Sequence, residues 1–248
     1  MRVIWIMWWR QLLRQGRAKG RLVGALGQPL LFLLALGFGF GPVFARAGEG
    51  SYLQFLAPGV ISMGVIFSAM FSGIELIWDR QFGFIKETLV APVPRWQIML
   101  GRACGGATVA LLQASLVALI SLAVGLRVES AAHALLALVY AGLVALMFTA
   151  LGTAIASVVE DFQAFPLVMN FLVMPLFFLS GALFPLQGVP AALAAIARFN
   201  PVAYAVDGVR GALTGVWHFG AALDLGVLLA MTAVLIAAST ALFTRIEA

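Results

Sequence analysis

Apolar residues run along this chain in long blocks separated by short polar stretches. Six blocks stand out, at about 22–44, 52–78, 103–126, 133–159, 162–186 and 218–243. As α-helices rising about 1.5 Å per residue, each is long enough to cross about 30 Å of hydrocarbon. Strands of a membrane barrel would instead be short and would alternate apolar with polar residues, so that architecture is excluded. The pattern predicts an all-α, polytopic membrane protein of six transmembrane helices, forming one domain over 1–248.

The segments between the blocks carry patterns of their own. In residues 1–21, Arg10, Arg14, Arg17 and Arg21 fall within about 60° of one another on a helix, and Trp5, Trp8, Trp9 and Leu12 centre opposite them. Indoles favour the headgroup region and guanidinium favours lipid phosphate, which predicts an amphipathic helix lying on the membrane. A basic start before an apolar run also marks a signal peptide. The 22–44 block is longer than a signal's apolar region of about 7–15 residues, so a retained helix is expected. The 79–102 loop is amphipathic and is broken by Pro92 and Pro94. It predicts a short helix over 82–90, a turn, and a second helix from Arg95 into the third span. In 187–217, Pro190 opens a helix over 191–199 that stops at Asn200–Pro201, and a second runs over 202–213. Both are too short to span, which predicts a re-entrant or outer-face hairpin.

Composition excludes the soluble classes. Of the 248 residues, 63% are hydrophobic and 10% charged, against about 25% charged in soluble domains. The mean hydropathy is +1.06. A net charge of +5 could indicate nucleic acid in a soluble protein; here its uneven placement reads as topology, with no nucleic-acid partner. Eleven Lys and Arg fall on one side of the predicted spans, and four (Arg46, Arg127, Arg198, Arg210) on the other. The excess predicts that both termini and the 79–102 loop are cytoplasmic.

Candidate chemistry is sparse. A Walker A loop needs a Gly-rich run ending in Lys and Ser or Thr. The two lysines are Lys19, before Gly20, and Lys86, between Ile85 and Glu87, so the chain is not expected to hydrolyse ATP or to be an enzyme. Ser180 and His218 could be imagined as an intramembrane protease dyad, but Phe178 stands where a small residue is needed. The simpler reading is a kink at Ser180–Gly181 and an interfacial His218. Cys104, His133 and His218 are isolated, and no metal or haem site is expected. Glu75, the charge inside the second predicted span, reads as snorkelling to the surface beside Asp79 and Arg80. In the fifth span Pro166, Asn170 and Pro175 interrupt an apolar run containing Met169, Met174, Phe177 and Phe178, a candidate pathway lining. Ser62, Ser68, Ser72, Phe67 and Phe71 of the second span could face it. Gly142, Gly152, Ala156 and Ser157 read as close-packing positions.

Two stretches give these features a family likeness. One is Asp79-Arg-Gln-Phe-Gly-Phe-Ile-Lys-Glu-Thr-Leu-Val-Ala-Pro-Val-Pro-Arg95, followed by Leu100-Gly101-Arg102. The other is Leu179-Ser-Gly-Ala-Leu-Phe-Pro185, followed by Phe199-Asn-Pro201. With the six spans they resemble, over nearly the whole chain, the type-2 permeases of ATP-binding-cassette (ABC) exporters of drugs, lipo-oligosaccharides and polysaccharides. Gln81 and Pro94 depart modestly from that pattern. The resemblance implies that 82–90 is a coupling helix docking into a groove on a separate ABC ATPase subunit. The coupling set would be Asp79, Arg80, Gly83, Phe84, Glu87, Thr88, Leu89, Val90, Pro92 and Arg95. It also implies a homodimer paired through spans one and five. A substrate pathway would run along Ser68, Phe71, Ser72, Asn170, Met174, Phe177, Phe178 and Ser180, beneath an external gate of Gly181, Phe184, Pro185, Asn200 and Pro201. This chain would hold no cofactor, ATP and Mg belonging to the ATPase subunit, and would sit in lipid in a bacterial inner membrane. The competing readings are a stand-alone secondary transporter or channel, which usually shows an internal repeat, and a Ser–His hydrolase.

Overall fold

The computed structural model describes residues 2–17, 19–46, 51–84 and 93–245. Ten helices occur among them: α1 (Arg2–Arg17), α2 (Lys19–Arg46), α3 (Tyr52–Phe71), α4 (Ile74–Gln81), α5 (Arg95–Val124), α6 (Ala131–Val158), α7 (Ala164–Phe178), α8 (Ala191–Phe199), α9 (Pro201–Thr214) and α10 (Ala221–Thr244). Among the described residues five stretches are long and apolar enough to cross a membrane: one within α2, then α3 with α4, α5, α6 and α10. The second is the centre of the bundle. Of its most apolar window 72% is buried, against 17% for the corresponding windows of α2 and α10.

The second span is two helices rather than one. The Ser72 hydroxyl donates to the Ala69 carbonyl at 2.6 Å, and Gly73 lies between α3 and α4 with its backbone against the carbonyl of Gly152. Reciprocally, a Cβ on Gly152 would stand 2.5 Å from the Met70 carbonyl. Helix axes normally pack 8–10 Å apart, at a distance set by the side chains in contact. Here two glycines let α6 cross backbone to backbone where the second span breaks.

The fifth span is shorter than its apolar block. The pattern predicts a span over 162–186, whereas α7 has 15 residues and so about 22 Å of helix, less than the hydrocarbon thickness. It ends because the Ser180 hydroxyl caps the Phe177 carbonyl at 2.6 Å and Gly181 turns left-handed at φ 76°. The chain then folds back over the N-terminal half of α3. Tyr52 donates to the Leu183 carbonyl at 2.9 Å, and Gly59 admits the Ala182 carbonyl against its backbone. Apolar residues 179–186 thus cover α3 instead of extending α7.

The hairpin expected over 187–217 forms as α8 and α9. Asn200 is the N-cap of α9, accepting from the Val202 amide at 2.9 Å, with Pro201 in the first turn. α9 is buried over most of its length among α3, α6 and α10, while Phe199 of α8 is 90% exposed.

α1 lies along the first turns of α5. A Cβ on Gly101 would stand 2.7 Å from Met7 Cβ, and one on Gly105 2.6 Å from Gln11 Cβ. This small-residue track seats α1 and corrects the orientation expected from its amphipathic pattern. Arg10 and Arg14 turn into the protein, while Trp5 and Trp9 are 61% and 50% exposed.

Candidate functional site

The end of the bundle that carries both termini is organised around Asp79. α4 brings Glu75 and Asp79 to one face, four residues apart, and α1 presents Arg10 and Arg14 with the same spacing. Asp79 meets Arg10 at 2.6 Å, Arg14 at 3.3 Å and, from α5, Arg102 at 2.7 Å. Glu75 accepts from the Gln11 amide at 2.5 Å and lies 3.6 Å from Arg14. Glu75, Asp79 and Arg102 are all buried, so the expected snorkelling of Glu75 is replaced by burial against α1. Burial pulls the pKa of Arg10 below the usual guanidinium value, and the charge of Asp79 opposes that shift. Beside the cluster, the Trp8 indole donates to Thr108 at 3.0 Å. Three separate elements are thereby tied into one block.

Arg80 leaves that cluster and pairs with Glu160 at 2.7 Å, also donating to the Ser157 carbonyl at 3.3 Å. Arg95 donates to the Thr244 carbonyl at 2.5 Å, joining the start of α5 to the end of α10. Gly83 and Phe84 follow α4, and Phe82 and Phe84 are 71% and 54% exposed. Glu87, Thr88, Leu89, Val90 and Pro92 lie outside the described residues, as does most of the expected 82–90 helix.

The expected pathway residues divide among three places. Ser68, Phe71 and Ser72 line a partly open cavity of about 450 Å³ bordered by α1, α2, α3, α4 and α5. On α7, Phe177 is buried, Met174 is half-buried, and Asn170 and Phe178 are exposed. The buried stripe of α7 is Phe165, Met169, Val173 and Phe177, and its open side includes Leu167 and Phe171, 70% and 85% exposed. Within this single chain, α7 therefore does not face the cavity on α3.

Ser180 lies at the opposite end, on a second cavity of about 270 Å³ that Pro185, Arg210 and His218 also line. Its hydroxyl donates to Phe177 and accepts from the Ala182 amide at 3.3 Å, while the His218 ring meets Gln187 at 3.3 Å. Among the described residues no hydrogen bond joins Ser180 to His218, so the dyad a hydrolase would need is not assembled. Gly181, Phe184 and Pro185 lie in the fold-back after α7. Asn200 secures the hairpin to that helix, donating to the Leu176 carbonyl at 2.6 Å.

Several polar residues at this end carry no motif. The Asp207 carboxylate accepts from the backbone amides of His218 at 2.9 Å and Phe219 at 2.7 Å, closing the turn before α10. The Arg210 guanidinium lies 4.0 Å over the Phe55 ring and donates to the Gly181 carbonyl at 2.9 Å. Burial lowers its pKa to about 10, against the opposing charge of Asp207. The regular spacing of Glu75 with Asp79, and of Arg10 with Arg14, is a sequence signal for the terminal cluster. Asp207 and Arg210, three apart on α9, were not singled out, because their hydrogen-bond partners are backbone groups set by the fold.

Known proteins resemble this chain in sequence. The ABC-2 type transporter family matches residues 2–214. Nodulation protein J of Rhizobium leguminosarum bv. viciae is 29% identical over 245 residues, covering 97% of this chain and 94% of that protein. The putative transport permease ycf38 of Pyropia yezoensis is 32% identical over 217 residues, 85% of this chain and 74% of that one. Nodulation protein J of Rhizobium meliloti (strain 1021) is 27% identical over 246 residues, 97% and 93% of the two chains. The family match begins in the first turn of α1 and ends with α9, so it takes in the Asp79 block, the broken second span and the hairpin together; the chain belongs to the ABC-2 type transporter family.

Proposed function

We propose that this protein is the membrane permease subunit of an ABC transporter, exporting an amphipathic substrate with energy from ATP hydrolysed by a separate subunit. The observation that carries the reading is the exposure of Phe82 and Phe84 at the end of α4, immediately beyond a block that Asp79 ties to α1 and α5. Exposed aromatic side chains on a braced element are suited to insertion into a partner's groove. The 82–90 segment is the docking element, with Phe84, Leu89 and Val90 filling the groove and Glu87 making polar contact. Gly83 precedes the rest of this segment and Arg95 follows it, and Asp79 and Arg80 hold its start to the bundle.

Closure of the ATPase subunits displaces this segment, and the Asp79 block transmits the displacement to α3, α4 and α5 as one body. The open face of α7, with Asn170, Phe171 and Phe178, meets a second copy of the chain. The pathway opens at that seam toward a gate built from Gly181, Phe184, Pro185, Asn200 and Pro201. Both termini are cytoplasmic, in a bacterial inner membrane. The relatives named as transport permeases support the class.

The test is co-purification. Phe84→Asp with Leu89→Asp places two charges in the docking element while leaving the spans unaltered. The variant is expected to insert in the membrane as the unaltered protein does and to lose its ATPase subunit. Retention of that subunit at unchanged stoichiometry refutes the docking role.

A further inference from the structure

The cavity between α1, α2, α3, α4 and α5 is unlike a packing defect. Its volume of about 450 Å³ lies within the range of about 300–1,000 Å³ that holds small ligands. Its wall carries four amide side chains, Gln11 and Gln15 of α1, Gln28 of α2 and Gln113 of α5. Two are not satisfied by protein. Gln113 is 5% exposed and its Oε1 is buried without a partner, as is Gln15 Nε2, among the described residues. A buried polar group left unpaired costs about 1–3 kcal/mol, so an unpaired acceptor and an unpaired donor lining one cavity are matched to a ligand that supplies both. Gln11, by contrast, is spent on Glu75.

The chemistry of that ligand follows from the remaining wall. Glu75 is the one ionisable lining side chain among the described residues, and Gln11 and Arg14 hold it. Nothing on the described wall offers a cation to an anionic head group. Phe67, Phe71 and Met63 of α3 supply apolar surface for a chain or ring. We propose that this cavity binds one uncharged amphiphile, its hydroxyl- or amide-bearing head between Gln15 and Gln113 and its apolar body along α3. The inference rests on the permease reading for its orientation, with the ligand entering from the cytoplasmic leaflet; the binding itself does not depend on that reading. The occupant is either transported cargo or a resident lipid of the same chemistry.

The test uses the full chain in nanodiscs and 1-monooleoylglycerol as probe, an uncharged diol on an apolar tail, with oleate as the anionic comparison. Binding is read by native mass spectrometry. Gln15→Leu with Gln113→Leu removes the polar pair at nearly constant volume. Gly64→Leu fills the cavity from a position where a Cβ meets nothing closer than 3.7 Å. Both variants are expected to keep the thermal transition of the unaltered chain and to bind monooleoylglycerol at least about tenfold more weakly, the effect of about one lost hydrogen bond or more. Binding that is unaffected by either variant, or oleate bound as tightly as monooleoylglycerol, overturns the proposal. Repeating the measurement with the ATPase subunit separates the two sources. Cargo stimulates nucleotide hydrolysis and is moved, whereas a resident lipid binds without being moved. Wild-type binding with no transport of any amphiphile keeps the site and removes the permease reading; transport with binding indifferent to the variants does the reverse.

Discussion

Asp79→Asn removes one negative charge from the centre of three guanidinium groups. Arg102 is the most buried of the three, with a side-chain exposure of 9%, while Arg10 and Arg14 are about a third exposed at 35% and 34%. Breaking a buried ion pair by removing one partner costs about 3–5 kcal/mol, because the other charge is left without compensation. The shares of Arg10 and Arg14 are screened by water, and Asn retains one oxygen as an acceptor, so the low end of about 3 kcal/mol applies. With the carboxylate gone the buried Arg102 charge repels Arg10, so α1 is the element that leaves, and about 3 kcal/mol corresponds to roughly a hundredfold rise in the population with α1 released. Trypsin cleavage after Arg10 and Arg14, in protein held in nanodiscs, reads this population when opening is fast relative to cleavage. The expected result is cleavage roughly a hundredfold faster in the variant. Adding Arg102→Gln removes the stranded charge and should recover much of the loss, since the two positions are coupled. Cleavage within about threefold of the unaltered protein, or purely additive effects in the double variant, would show that Asp79 does not hold α1 down.

Gly152→Val places a branched side chain where α6 meets the Met70 carbonyl at 2.5 Å from an added Cβ; overpacking of about 1–3 kcal/mol should lower the thermal midpoint of the solubilised protein, and an unchanged midpoint would deny the close crossing. Asn200→Ala removes both the N-cap of α9 and the tie to the Leu176 carbonyl, a loss of about 1–2 kcal/mol that hydrogen exchange should report as faster opening of α9 than of α6. Ser180→Ala costs the cap on α7 but no reaction, so transport by the assembled complex should persist; abolished transport in a stably folded variant would revive a chemical role for the hydroxyl.

The long apolar blocks made most of the spans legible, because a chain crossing lipid must satisfy its backbone in helix over a length set by the bilayer. The hairpin was equally legible, since Pro190, Asn200 and Pro201 act locally on the backbone that carries them. What hydropathy could not disclose was where apolar residues serve tertiary contact instead of lipid. Residues 179–186 have the composition of a helix end yet fold over α3, because Gly181 and the Ser180 cap turn the chain and Tyr52 receives it. The arginine stripe of α1 misled for a related reason. Its period identifies a face but not what that face meets, and here the counter-charge is supplied by Asp79, far along the chain. Ser68, Phe71 and Ser72 share a cavity wall on one helix, which their spacing made legible, but Gln15 and Gln113 on its other walls come from helices that only the tertiary fold brings together.

The seating of α1 also constrains how the protein is made. Its contacts lie far downstream, Gln11 reaching Glu75 across 64 positions and Trp8 reaching Thr108 across 100. At translation rates of about 5–20 residues per second, roughly 5–20 s separate the synthesis of Trp8 from that of its acceptor. Throughout that interval α1 lacks its track on α5, and the exposed indoles of Trp5 and Trp9 are suited to lipid headgroups until α5 emerges. A helix equipped on one side for lipid and on the other for protein is thus suited in turn to a newborn chain and to a finished one.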